Sequence, residues 1–302
     1  MSRMAQLASL KSRAPRWLLD TADVTSRGAA LATAANRPVP DFLIIGTKRG
    51  GTTSLFKYLA QHPGVLALYP QPRDKKSTDY YFSHKFNTQS ERWYRSHFHT
   101  EAYRRLLHSR LGYRPLSFEA SPYYVWDPRI AARVRQVAPG TKAILLVRDP
   151  VKRAWSHYQE RVQNGVEPLD FEDALAAEDD RLAGEPERMA DDPSYHSTTW
   201  DWYSYRRRGV YLPQVQRWHA CFPATQLLVL RSEDLYRHTQ AVVDEICDFL
   251  GLPRRELSTT RGYNSTLRSG DEPPQRAVRA LREYYRPHNA ALEDYLRMSL
   301  GW

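Results

Sequence analysis

Short, unbroken apolar runs separated by stretches of helical period set the pattern of this chain. Phe42–Ile45, Ala143–Val147 and Leu227–Leu230 are continuous rather than alternating, as strands covered on both faces require. The run from Asp41 to Gly46 predicts a first strand, followed by a glycine-rich turn and a helix over Thr52–Gln61, where Leu55, Tyr58 and Leu59 share one face. Leu116–Glu119 predicts a second strand and Asp127–Val137 a helix stopped by Pro139-Gly140. Lys142–Val147 is the third strand, Val151–Gln163 a helix with proline near its start, and Gln226–Leu230 the fourth strand. Ala241–Leu250 reads as a helix closed by Gly251, and the last helices as Pro274–Tyr285 and His288–Leu300. Strands alternating with helices predict an α/β fold of three layers, a parallel sheet with helices on both faces.

Composition adds the organisation. The 302 residues are 41% hydrophobic, enough for a real core. The longest apolar run has five residues, far short of the roughly 20 that cross a bilayer, so no transmembrane segment is expected. Residues 1–40 read as a flexible or loosely docked leader and residues 41–302 as the folded domain, with the acidic, proline-containing stretch 170–203 as a lid or insertion. The leader has no apolar signal core, so a cytoplasmic protein is expected, although its arginines leave an organelle-targeting reading open. Cys221 and Cys247 stand alone, which excludes a disulfide framework and a zinc site. The balance of 44 basic to 34 acidic side chains, formally +10, suggests an anionic partner without choosing which.

The chemistry begins at Gly46-Thr47-Lys48-Arg49-Gly50-Gly51-Thr52-Thr53-Ser54, between the first strand and its helix. Such a loop turns backbone N–H groups around an anion and aims a helix N-terminus at it. The glycine spacing makes the sheet P-loop-like, but Thr52 stands where a nucleotide triphosphatase carries its lysine, and the cations Lys48 and Arg49 lie inside the loop. An ordinary glycine-rich turn is the plain alternative. Arg148, at the carboxyl end of the third strand where open α/β sheets bind ligands, and Ser156, two helical turns on, suit a second, separate phosphate. A structural ion pair between Arg148 and Asp149 is the competing reading.

Together these segments resemble the sulfotransferases that use 3′-phosphoadenosine-5′-phosphosulfate (PAPS), in the heparan sulfate and carbohydrate branch with its bacterial relatives. The likeness spans roughly residues 41–300. It includes Phe118-Glu-Ala-Ser-Pro-Tyr-Tyr124, Arg208-Gly-Val-Tyr-Leu-Pro-Gln214 with Trp218, Phe222-Pro, Leu227 to Leu235, and Tyr263-Asn264 with Arg268-Ser269-Gly270. The resemblance implies that Lys48, Arg49, Gly50, Gly51, Thr52, Thr53 and Ser54 hold the 5′-phosphosulfate, that Arg148 and Ser156 read the 3′-phosphate, and that Arg268 belongs to a loop closing over the nucleotide. It places Arg49 where the family has its loop lysine.

The resemblance also implies a general base. Relatives carry a Lys-Glu-x-His-Phe-Phe-like run, where this chain has Lys75-Lys76-Ser77-Thr78-Asp79-Tyr80-Tyr81-Phe82. Ser77 or Thr78 falls in the acid slot, which leaves Asp79, Glu119 or His84 as the base and Arg49 as the cation on the leaving group. The lysine some relatives place after the strand glutamate is Ala120 here, which argues for a smaller or neutral acceptor. Tyr80, Tyr81, Tyr123, Tyr124, Trp126, Trp200 and Trp202 are expected near the cleft or lid, most of them as core. The expected activity is sulfuryl transfer from PAPS, without a metal, to a hydroxyl, or secondarily an amine, of a carbohydrate or small metabolite. Nucleic acid is not an expected partner. A P-loop small-molecule kinase and a non-catalytic polyanion-binding protein are the alternatives.

Overall fold

The computed structural model describes residues 25–69, 75–260 and 272–302. Its strands are β1 (Phe42–Gly46), β2 (Val65–Leu66), β3 (Leu116–Ala120), β4 (Lys142–Val147) and β5 (Leu227–Arg231). They form one sheet ordered β2-β3-β1-β4-β5, parallel throughout. The helices are α1 (Thr52–Leu59), α2 (Glu101–Leu111), α3 (Ile130–Val137), α4 (Pro150–Gln163), α5 (Leu212–Cys221), α6 (Thr239–Leu250) and α7 (Gln275–Leu296), with shorter helical turns in the connections.

The continuous apolar runs are explained by two cores. Successive strand side chains point to opposite faces, and Phe42, Ile44, Ile144 and Leu146 pack with Leu55 and Tyr58 of α1 and Val242 and Ile246 of α6. Leu43, Ile45, Leu145 and Val147 pack on the other side with Ile130 and Val134 of α3 and Val215 and Trp218 of α5. Truncating one of these side chains to alanine is worth roughly 2–5 kcal/mol. The α/β three-layer arrangement is as the sequence predicts.

Two elements differ from the expected bounds, and a third region gains detail. The helix expected over Asp127–Val137 starts at Ile130, because Pro128 disfavours helical backbone at Asp127, whose carboxylate instead accepts from Arg129 N–H at 2.9 Å. The two terminal helices are one, α7, running through Pro287. Proline removes one hydrogen bond, while Tyr285 is anchored in a third core with Val151, Ala154 and Phe171 and Leu292 in the core under α5. Residues 170–203, expected as a lid or insertion, are built as four short helices, Phe171–Ala176, Glu178–Leu182, Glu185–Asp191 and Thr198–Tyr203, with Phe171, Leu182 and Met189 buried.

Ahead of the sheet, residues 25–32 are helical and Ala30 and Ala34 are buried. Arg27 donates to the Ser96 carbonyl at 2.7 Å and the Tyr69 carbonyl at 3.2 Å, and Arg37 to the Phe98 carbonyl. Among the described residues no helix is long and apolar enough to cross a membrane.

Candidate active site

Because β1 lies beside both β3 and β4, the chain leaves β1 toward one side and returns on the other, and the loops after β1 and β4 meet at their carboxyl ends. Thr47 N–H donates to the Leu146 carbonyl at 2.9 Å, and Gly50 N–H closes the turn on the Thr47 carbonyl at 2.9 Å. Gly50 has no alternative: a Cβ there would stand 2.9 Å from the Thr47 carbonyl oxygen and 3.1 Å from that of Leu146, both backbone. Gly51, at φ +92°, turns the chain into α1. Arg49 holds φ +66° without being glycine, the kind of backbone cost that clusters at functional sites.

That conformation brings three of the predicted residues together. Arg49 Nε donates to Ser156 Oγ at 2.9 Å, and Arg148 Nη1 donates to the Arg49 carbonyl at 2.8 Å. Arg148 is fixed in turn by Tyr211, whose hydroxyl donates to the Arg148 carbonyl at 2.8 Å. Asp149 does not pair with Arg148; its carboxylate caps α4 by accepting from Val151 and Lys152 N–H. Lys48 Nζ donates to Tyr123 Oη at 2.6 Å and lies 3.4 Å from Glu160 Oε2, the oxygen that Arg49 Nη1 also approaches, at 3.9 Å. Burial pushes the Lys48 ammonium down to about 7, with Glu160 opposing and Arg208 and Arg161 adding to the shift. Burial would raise Glu160, but Lys48, Arg161 and Arg49 hold it below the usual carboxylate range. Arg268 lies outside the described residues, as do Tyr263-Asn264 and Ser269-Gly270.

Beside the loop is a cavity of about 390 Å³ whose lining includes Lys76, Ser77, Asp79, Lys85, Ser121 and Tyr123. Asp79 sits in it at φ +57° and half exposed, its Oδ1 accepting from Ser77 Oγ at 2.8 Å, with Lys85 Nζ 3.8 Å from Oδ2. Glu119 is elsewhere in character. It is fully buried, and its oxygens accept from Thr78 N–H at 2.6 Å, Tyr94 Oη at 3.0 Å and Tyr124 Oη at 3.1 Å. Burial pushes its carboxyl up to about 7 against the Thr78 bonds. His84 is exposed, faces His196 at 5.3 Å between ring centroids, and is not among the residues lining the cavity. Of the aromatics, Tyr80, Tyr81, Tyr124 and Trp126 are buried, Trp126 stacks on Trp200, and Trp202 is exposed. The Arg206-Arg207-Arg208 run is used internally: Arg206 and Arg207 pair with Asp179, and Arg208 is buried beside Asp201. Among the described residues no group of three His, Cys, Asp or Glu is placed to hold a metal.

The family model for the sulfotransferase domain matches residues 39–266. The chain belongs to that family. This sulfotransferase is 28% identical over 306 residues to human heparan sulfate glucosamine 3-O-sulfotransferase 6, covering 91% of the chain and 77% of that protein. It is 27% identical over 301 residues to human heparan sulfate glucosamine 3-O-sulfotransferase 3A1, covering 91% of the chain and 65% of the relative. Among solved structures it is similar to a sulfotransferase from Alicyclobacillus acidocaldarius, with TM-score 0.62, 27% identity, and 86% and 97% of the two chains covered. The protein is therefore a sulfotransferase enzyme, in a family that takes its sulfuryl group from PAPS.

Sequence reasoning did not single out Glu160 or Lys76. Glu160 had a signal, since it stands four residues after Ser156 on one helical face. Lys76 Nζ reaches Thr53 Oγ1 at 2.6 Å, a contact between distant segments that no spacing announces.

Proposed function

We propose that this sulfotransferase moves the sulfuryl group of PAPS to a hydroxyl of a carbohydrate or other small acceptor. The observation that carries the donor assignment is the convergence of Arg49, Arg148 and Ser156 at the ends of β1 and β4. The turn around Gly50 and the first N–H groups of α1 suit the 5′-phosphosulfate, and Arg148 with Ser156 suits the 3′-phosphate. The backbone cradle that a Cβ at Gly50 would fill fits such an anion.

In this reading the bond from sulfur to the bridging oxygen breaks, its electron pair stays on the phosphate, and the acceptor oxygen forms the new bond to sulfur. Arg49 stabilises the charge growing on the bridging oxygen and, being permanently protonated, does so by electrostatics alone. Asp79, facing the cavity and oriented by Ser77, takes the acceptor proton. Glu119, with three donors on its carboxylate, is a positioning residue that holds the backbone at Thr78. The names of the relatives, which act on heparan sulfate glucosamine, support a carbohydrate acceptor, and the uncharged Ala120 beside the cavity supports a small one.

Calorimetry tests the donor assignment. The protein should bind 3′,5′-diphosphoadenosine more tightly than AMP by about 10- to 100-fold, the worth of charge-assisted contacts to one phosphate. Equal affinity for the two removes the reading. A screen of acceptors with labelled PAPS and mass detection of an added sulfate then identifies the substrate.

A further inference from the structure

The charged groups around the donor loop are almost all spoken for. Lys48 and Arg49 share Glu160, and Lys85 faces Asp79. Lys76 differs. Among the described residues it has no carboxylate within ion-pair distance, and its ammonium, half-buried, donates to Thr53 Oγ1 at 2.6 Å in the first turn of α1. It also lines the cavity that holds Asp79.

Its placement is not accidental to a floppy segment. The Lys76 carbonyl accepts from Ala120 N–H at 2.7 Å, and two residues on Thr78 N–H is held by Glu119. The stretch 76–78 is thus pinned to the carboxyl end of β3, next to β1 and its loop. Of the residues at the end of β3, the one that lines the cavity is Ala120, without charge. The backbone paired with it brings in an ammonium that borders both the donor loop and the acceptor cavity. Burial and the nearby Lys57 both work against its charge, so an anion arriving there is favoured on both counts.

We propose that Lys76 is a second cation on the transferring group, donating to a non-bridging sulfuryl oxygen while Arg49 serves the bridging oxygen. The inference rests on the PAPS reading. Lys76 neither gains nor loses a proton in the step; the acceptor proton still passes to Asp79 and the electron pair of the broken bond stays with the phosphate. A contact to the sulfuryl oxygens is made by PAPS and not by the product nucleotide, and this difference separates the role from a structural one.

Calorimetry without acceptor, on wild type, Lys76→Met and Lys76→Arg, reads that difference. Lys76→Met should bind 3′,5′-diphosphoadenosine within about twofold of wild type and PAPS about 10- to 100-fold more weakly, with Lys76→Arg recovering part of the loss. Lys76→Gln replaces the Met variant if its melting temperature falls. Equal losses for both nucleotides, or none for either, overturn the proposal while leaving the donor reading intact. A wild type that binds 3′,5′-diphosphoadenosine no better than AMP overturns the donor reading itself and this inference with it.

Discussion

The donor loop and the acceptor wall touch at Lys76 and Thr53, yet they are held by different physics. Main-chain bonds from Thr47 to Leu146 and within the turn fix the loop, and Arg148 grips a main-chain carbonyl. These holding bonds are to main-chain groups, and the titratable side chain of the loop, Lys48, which burial pushes down to about 7, is bonded to Tyr123 and paired with Glu160 and makes none of them. The wall is fixed by a buried carboxylate, Glu119, on one backbone N–H and two tyrosine hydroxyls. The backbone bonds of the loop do not depend on a proton, whereas the wall is held by a titratable carboxyl that does. Donor binding and acceptor handling can therefore be disturbed separately.

The largest effect should come from the loop. Arg49→Ala is expected to lower turnover roughly 10²- to 10³-fold, the scale of one lost preorganised charge-stabilising group, with a smaller loss of affinity for 3′,5′-diphosphoadenosine. Arg49→Lys should retain substantial activity. Normal turnover in Arg49→Ala together with a dead Lys48→Ala would move the leaving-group role to Lys48, against its present orientation toward Tyr123 and Glu160.

On the wall, Asp79→Asn should reduce turnover about 10²-fold and leave nucleotide affinity nearly unchanged. If that variant turns over normally and His84→Ala or Glu119→Gln does not, the proton acceptor is that residue and the wall is more than a scaffold.

The smallest effect sharpens the comparison through pH. Glu119 sits at about 7 in the fold against an ordinary 4.5, so between those values the folded chain keeps a proton that the unfolded chain has released. Stability from this group is complete below the ordinary value and is lost as pH rises toward 7, by at most about 3 kcal/mol. Glu119→Gln should melt with a flatter dependence between pH 4.5 and 8 than wild type. Identical slopes in the two proteins would show that Glu119 does not set the wall's response.

What could be read beforehand follows the same division. β1 and β4 were legible because both faces are covered and their apolar runs are unbroken. The Gly50 turn, Arg148 and Ser156 were legible because each is fixed by its distance from a strand end. β2 has two residues and too little pattern to notice. The short helices after residue 82 announce themselves only by caps such as Ser90, Thr100 and Asp170, and α7 continues through a proline because packing on both halves outweighs one lost bond. In the site, Glu119 is a legible candidate for the base because it is a carboxylate at a strand end. Its three partners come from residues 78, 94 and 124, and only folding brings them together.

The segment ahead of the sheet acts as a splint. Arg27 and Arg37 tie it to carbonyls at residues 69, 96 and 98, flanking His97, which also lines the cavity that holds Asp79. None of these ties reaches the donor loop. Trimming the chain to residue 41 would leave those three carbonyls to water while the sheet and its glycine turn keep every bond described above. If the PAPS reading holds, the trimmed protein should still bind 3′,5′-diphosphoadenosine while its acceptor KM rises, so the two halves of a sulfuryl transfer would come apart at a boundary some distance from either reactant.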